Sequence, residues 1–200
     1  MIVALDFETA NGLRGSICAV GLAWLEGDEV VRTFESLVKP HRSCDWFDPM
    51  NIAIHGIRPE MVADAPEWGE LWEEIAAAID GAPVVAHNAA FDLSVLRRGL
   101  DLYELAYPEL EYLCSCKLAR EIWPELPNHR LDTVCGHIGY HFNHHRAGDD
   151  AAAAASALAA MRRATGSADY RELATRANVN FGRLFPGGYT PCGKRAAKKR

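Results

Sequence analysis

The 200-residue sequence predicts an α/β domain with a mixed sheet, in which an antiparallel three-strand meander is continued by parallel strands and flanked by helices. Three observations predict it. The chain opens on apolar, β-branched runs joined by a short polar link. From Trp68 onward the apolar period changes from that of strands to that of helices. Single short apolar runs then interrupt the helical stretches, the ordering expected when crossover helices return the chain to one sheet.

Met1 to Leu5 (MIVAL) is continuously apolar, which suits a central strand covered on both faces. Ser16 to Leu25 and Glu29 to Val38 read as two further strands, and the link Glu26-Gly27-Asp28 is short enough for a hairpin. Trp68, Leu71, Trp72, Ile75 and Ile79 recur at three- and four-residue steps, marking the apolar face of a helix over Trp68 to Asp80 with Asp64-Ala65-Pro66 as its start signal. A short strand over Pro83 to Ala86 follows, then a helix from Ala89 to Leu100 capped by Asn88. A strand over Tyr112 to Cys116, helices over Lys117 to Trp123 and Leu131 to Tyr140, and an alanine-rich helix over Asp149 to Arg163 complete one domain, residues 1–164. Residues 165–200 read as a C-terminal appendage: a short helix over Tyr170 to Ala177, the stretch FGRLFPGGYTPCG and a basic end.

A composition of 49% hydrophobic and 24% charged residues is that of a globular domain. No run approaches the roughly 20 apolar residues that span a bilayer, and the N-terminus lacks a signal-peptide pattern. A cytoplasmic location without a membrane partner is therefore expected. Six cysteines without a CxxC pair read as reduced, structural thiols. The net charge of −6 hides an asymmetry, because Lys194, Arg195, Lys198, Lys199 and Arg200 are all basic. Residues 1–193 carry 16 basic against 27 acidic groups, a net −11. So acidic a domain argues against nucleic-acid binding by Lys and Arg alone. The objection falls if some of the acids hold divalent cations, which then become the largest positive charges facing a phosphate.

Asp6 and Glu8 stand two apart at the end of the first strand and project from one face, with Phe7 pointing to the other. A carboxylate pair there is costly to bury unless a cation offsets it. Asp92 closes Ala86-His87-Asn88-Ala89-Ala90-Phe91-Asp92, directly after the short strand, and Asp150 opens the alanine-rich helix. Each also reads as an ordinary first-turn acid favoured by the helix dipole. His144 and His145 precede Asp150. Five residues on a helix turn through about 500°, so His145 is better placed on the loop leading in, from which it swings toward Asp150. Histidine is suited to take a proton from water near neutral pH. Four carboxylates and a histidine make a coherent set for phosphodiester hydrolysis with two hard cations, Mg²⁺ or Mn²⁺. His137 and His141, near Cys135, offer a weaker zinc-type spacing and read better as solvated histidines.

Three blocks, Asp6-Phe7-Glu8-Thr9, His87 to Asp92 and His145-Arg146-Ala147-Gly148-Asp149-Asp150-Ala151, together with Ile54-His55-Gly56-Ile57, give the chain its resemblance to the DnaQ-like 3′–5′ exonucleases of the DEDDh type. It spans residues 1 to about 162, and the family's His-x-Ala-x-x-Asp-Ala form pairs His145 with Asp150. The resemblance implies a ribonuclease H-like fold and the release of nucleoside 5′-monophosphates from the 3′ end of nucleic acid, DNA favoured, in repair, proofreading or end trimming. It implies Asp6, Glu8 and Asp150 as ligands of a first metal, Asp6 and Asp92 as facing a second, and His145 as the base. Phe7, Thr9, Ile54, Ile57, Asn88 and Phe91 are implied to border the terminal nucleotide. The partner class implied is a polymerase or another replication or repair protein. An RNA-trimming exoribonuclease or oligoribonuclease of the same fold, and a 3′-end-binding module without hydrolysis, are the alternatives. The basic end, near Phe181, Phe185 and Tyr189, is a further candidate contact for nucleic acid.

Overall fold

The computed structural model describes residues 1–194, so the basic end beyond Lys194 lies outside the described residues. β1 (Ile2–Thr9), β2 (Ile17–Glu26) and β3 (Glu29–Leu37) form the expected antiparallel meander. α1 (Pro49–His55) and α2 (Trp68–Ile79) lead to β4 (Val84–Ala86), and α3 (Asp92–Leu102) crosses from β4 to β5 (Leu110–Cys114). Both β4 and β5 run parallel, β4 to β1 and β5 to β4. Then come α4 (Ser115–Ile122), α5 (Leu131–Ile138), α6 (Ala147–Thr165) and α7 (Tyr170–Arg176). The chain closes with β6 (Val179–Asn180), β7 (Gly182–Phe185), β8 (Gly188–Thr190) and β9 (Gly193–Lys194). The main sheet has the order β3-β2-β1-β4-β5-β7-β8, and β6 pairs with β9 apart from it. Among the described residues no helix is long and apolar enough to cross a membrane.

β1 owes its interior place to the apolar run: Ile2, Val3, Ala4 and Leu5 are all buried, as a strand paired on both edges and covered on both faces requires. Its alternation sorts the two faces. Phe7 meets Trp68 of α2 edge-on, ring centroids 5.4 Å apart, while Asp6 and Glu8 look toward α6. Thirteen of the nineteen α6 residues are buried, nine of them alanine, so this helix is core on nearly every side. It crosses β2, β1 and β3 closely. Gly21 of β2, the register partner of Asp6, makes that approach possible, since a Cβ there would overlap the backbone of Ala147.

Several local expectations are corrected. α1 was not foreseen, although its signals are ordinary: Asp48 caps it by accepting from Met50 N–H, Pro49 opens it, and Gly56 ends it in the left-handed region. The cap of α2 is Glu67, in a reciprocal capping box with Glu70, rather than the Asp64–Pro66 segment. Asn88 does not cap α3. Its φ of 67° puts it in a tight turn, and the helix begins at Asp92 itself. α6 starts two residues before Asp149. The segment from residue 165 onward is tied to the domain more closely than an appendage implies, because β7 pairs antiparallel with β5 and β8 with β7. Leu173, Val179, Leu184 and Cys192 lie in the main hydrophobic core. All six cysteines are free and buried.

Candidate active site

The C-terminal end of β1 brings Asp6 and Glu8 to the mouth of a cleft of about 460 Å³ that Asn88, His144, His145 and Asp150 also line. One carboxylate oxygen each from Asp6, Glu8 and Asp150 lie within 4.8 Å of one another. Asp92, only 1% exposed, adds its charge from the start of α3 and raises the pKa of both Asp6 and Glu8. The acids come from three elements, β1, α3 and α6, so none of them is an isolated first-turn residue.

Their electrostatics is that of a site short of positive charge. Burial, then the charges of Asp92, Asp150 and Glu8, holds Asp6 well above the carboxylate range. Burial and the neighbouring acids push Glu8 up to about 8. Asp92 is raised to about 8, chiefly by burial, although the amides of Phe7 and of Asp92 itself and the charge of Arg14 pull against it. Both oxygens of Asp92 and Oδ2 of Asp150 are buried and make no hydrogen bond of proper geometry, the amides near Asp92 acting on its charge without closing a bond to it. Native structures rarely strand buried carboxylate oxygens, and an unpaired ionised carboxylate in a low dielectric is among the costliest arrangements in a protein. All-oxygen donors of this kind fit hard divalent cations.

The doubled histidine resolves into two different positions. His144 Nδ1 lies 2.7 Å from Asp150 Oδ1, and since an ionised carboxylate only accepts, Nδ1 carries the proton. His145, at φ 68°, stacks on His144 with centroids 4.0 Å apart and rings 11° from parallel. Its pKa is lowered by burial first and by the His144 charge second. Both line the cleft. The hydrogen bond of His144 to Asp150 is the feature that the motif register left out. Beside them His87, pushed down to about 4 by burial, is held between Ser115 Oγ (2.9 Å) and the carbonyl of His129 (2.9 Å). Two metal-capable clusters are found among the described residues, the carboxylates Asp6, Glu8 and Asp150 and the group His144, His145 and Asp150; His137 belongs to neither and packs on Trp123.

The residues implied for the terminal nucleotide divide. Thr9 is buried at the end of β1, and its carbonyl accepts from Asn51 Nδ2 (2.7 Å) and from His55 Nε2 (3.1 Å). His55 Nδ1 in turn accepts from Ile57 N–H (3.0 Å). The Ile-His-Gly-Ile segment is thus bolted to β1 through its histidine. Ile57 is 7% exposed and packs inside, whereas Ile54 is 50% exposed and free to meet a ligand. Asn88 is exposed, and Phe91 is half-buried beneath Arg14, whose guanidinium lies 4.3 Å from the ring centroid. Phe7 lines the cleft, but its ring is buried against Trp68. Asn11, where the first block departs from the commonest form of the family, was not among the residues implied for the site. Buried itself, it ties the loop after β1 to the carbonyls of Cys44 (3.0 Å) and Trp46 (2.6 Å); an Asn before Gly12 is a turn signal.

Comparison with known proteins agrees with this geometry. The family model RNase_T, described as Exonuclease, matches residues 3–158. The chain is 33% identical over 152 residues to a PolC-type DNA polymerase III of Oceanobacillus iheyensis, covering 74% of this chain and 10% of that one. It is 27% identical over 150 residues to the 3′-5′ exonuclease DinG of Staphylococcus saprophyticus, covering 74% of this chain and 16% of that one. It therefore spans about a tenth of the length of the PolC relatives it matches. Among solved structures, exonuclease X in complex with 5′ overhanging duplex DNA superposes with a TM-score of 0.69 at 28% identity, covering 88% of this chain and 99% of the other. The fold is that of the ribonuclease H-like exonucleases, and family membership implies divalent metals. With a matching model over most of its length and the acids gathered on β1, α3 and α6, the chain belongs to the DnaQ-like DEDDh exonuclease family.

Proposed function

We propose that the cleft hydrolyses nucleic acid from the 3′ end, DNA in preference to RNA, releasing nucleoside 5′-monophosphates with two divalent cations, Mg²⁺ or Mn²⁺. The observation that carries this reading is the set of buried carboxylate oxygens on Asp92 and Asp150 that make no hydrogen bond of proper geometry, beside the clustered Asp6 and Glu8. Asp6, Glu8 and Asp150 would hold one cation, and Asp6 with Asp92 would face the second. When bound, the cations supply Lewis-acid polarisation of the phosphate and positive charge for the attacking and leaving oxygens. His145, kept neutral at pH 7 by its lowered pKa, accepts the proton of the attacking water at its ring nitrogen. His144 holds Asp150 Oδ1, which leaves Oδ2 turned free. Ile54, Thr9, Asn88 and Phe91 receive the terminal nucleotide, with Ile57 supporting them from inside. The duplex DNA bound by exonuclease X favours DNA here. Likeness to PolC-type chains makes a polymerase, or another replication or repair protein, the class of partner.

The test uses 5′-labelled DNA and RNA, single-stranded and duplex, with Mg²⁺, Mn²⁺ or EDTA. A ladder shortening from the 3′ end, faster on DNA and abolished by EDTA and by Asp150→Asn, is expected. Binding without cleavage in either metal would move the reading to a 3′-end-binding module.

A further inference from the structure

Next to the cleft runs a second groove, about 570 Å³, floored by the loop from Gly12 to Gly15 and walled by Ser94, Arg97 and Arg98 of α3. We propose that Arg14, Arg97 and Arg98 in this groove bind the sugar–phosphate backbone of the nucleic acid whose 3′ end occupies the cleft. The inference rests on the nuclease reading above and adds a binding site outside the acids and histidines.

Charge argues for it first. In a region where residues 1–193 carry a net −11, three arginines line one groove against a single acid, Asp101. Asp101 is already engaged, accepting from Tyr107 O–H at 2.7 Å and standing 4.0 Å from Arg98. Among the described residues, neither Arg14 nor Arg97 has an ion-pair partner. Their guanidinium groups are nevertheless held in place. Arg14 lies over Phe91, and Arg97 lies 3.6 Å from the ring centroid of Tyr189 while its Nε donates to the Leu93 carbonyl. Stacked, planar and unpaired guanidinium groups are prearranged donors for phosphate oxygens. Continuity argues for it next. Phe91, whose ring lies under Arg14, directly precedes Asp92, so the guanidinium from this groove stands beside the residue that leads into the acid at the start of α3. The loop itself is pinned by Asn11 to Cys44 and Trp46, which keeps Arg14 beside the cleft.

The two sites separate cleanly in an experiment, because the cleft needs cations and the groove does not. Binding of a labelled long oligonucleotide is followed by anisotropy in EDTA across a salt series, for the unmodified protein, for Arg97→Gln with Arg98→Gln, and for Arg97→Lys with Arg98→Lys. Removing two phosphate contacts should lower the slope of log K against log salt by about 1.4 for a single strand, and weaken binding about tenfold at moderate salt. The lysine pair should retain the slope. With Mg²⁺, KM for long oligonucleotides should rise about tenfold in the glutamine pair with kcat little changed, while hydrolysis of thymidine 5′-monophosphate p-nitrophenyl ester, which fills the cleft alone, stays the same. A slope loss seen with single strands assigns the groove to the cleaved strand, and a loss confined to duplexes assigns it to the complement. Unaltered slope in the glutamine pair, equal losses on the ester and the oligonucleotide, or no binding by the unmodified protein at low salt would each overturn the proposal. A protein that cleaves neither substrate yet shows the slope loss would sink the nuclease reading and leave the groove standing.

Discussion

His144 and His145 differ by one position and are predicted to fail differently. His144 touches Asp150, so its loss acts through a proposed metal ligand. His144→Ala should cost about 10- to 100-fold in activity at limiting Mg²⁺, and raising the metal should recover it, as when the hydrogen-bond partner of a ligand is removed. His145→Ala should lower kcat about 10² to 10⁴-fold at every metal concentration. A metal titration of both variants separates the roles, and recovery of His145→Ala by metal would reverse them. Much of this site was legible in the residues. The Asp-x-Glu pair declared itself by standing at the end of an apolar strand, and Asp92 and Asp150 gained meaning from the blocks around them. The bond from His144 to Asp150 was not legible, because spacing along a helix says nothing about a ring that leaves the preceding loop with its neighbour at positive φ. What Asn11 and Arg14 hold in place was not legible for a similar reason, since their partners lie in other parts of the chain.

The approach of α6 to the sheet is an element-scale property with a single point of control. Gly21→Ala places a methyl group where the backbone of Ala147 runs, so α6 or β2 must move. A loss of about 1 to 3 kcal/mol is expected by urea unfolding. Because Asp150 lies one turn into α6, activity should fall further than stability explains when measured well below the unfolding transition. Normal activity in a destabilised protein would show that α6 yields without moving Asp150. Elements with a strong period were readable: β1, β2, β3, α2 and α6 appear within a few residues of where their apolar patterns place them. α1 escaped because it buries no residue and so carries no apolar stripe, leaving only its Asp-Pro start and Gly end as signals. β7 and β8 escaped because a glycine-rich, two-sided hairpin becomes a strand pair only through its neighbour β5, a long-range partner that local composition does not reveal.

For the whole molecule, the acids set how stability responds to pH and metal. Glu8 and Asp92 titrate near 8 when folded, against 4.5 and 3.8 for the ordinary side chains. Raised folded pKa values mean that the folded state holds these protons more tightly. Their stabilisation is complete below about pH 4 and is lost as pH rises through about 8. His87 works in the opposite direction: lowered from 6.5 to about 4, it contributes fully above pH 6.5 and loses its contribution as pH falls through about 4. The metal-free protein should therefore melt at steadily lower temperature from neutral to mildly alkaline pH. Mg²⁺ or Mn²⁺ should restore the melting temperature most at the alkaline end, where the carboxylates are ionised. Scanning calorimetry in EDTA and in metal checks both, and a metal-free melting temperature that rises over that interval would contradict the assignment. At this scale the alanine face of α6 has one more consequence. It is a shim whose thickness sets the gauge between the acid on that helix and the pair on β1. Randomising buried positions such as Ala155 or Ala157, which lie well along the helix from the cleft, should return small residues among active clones. A family member with a wider gauge would need matching losses of bulk on the sheet beneath.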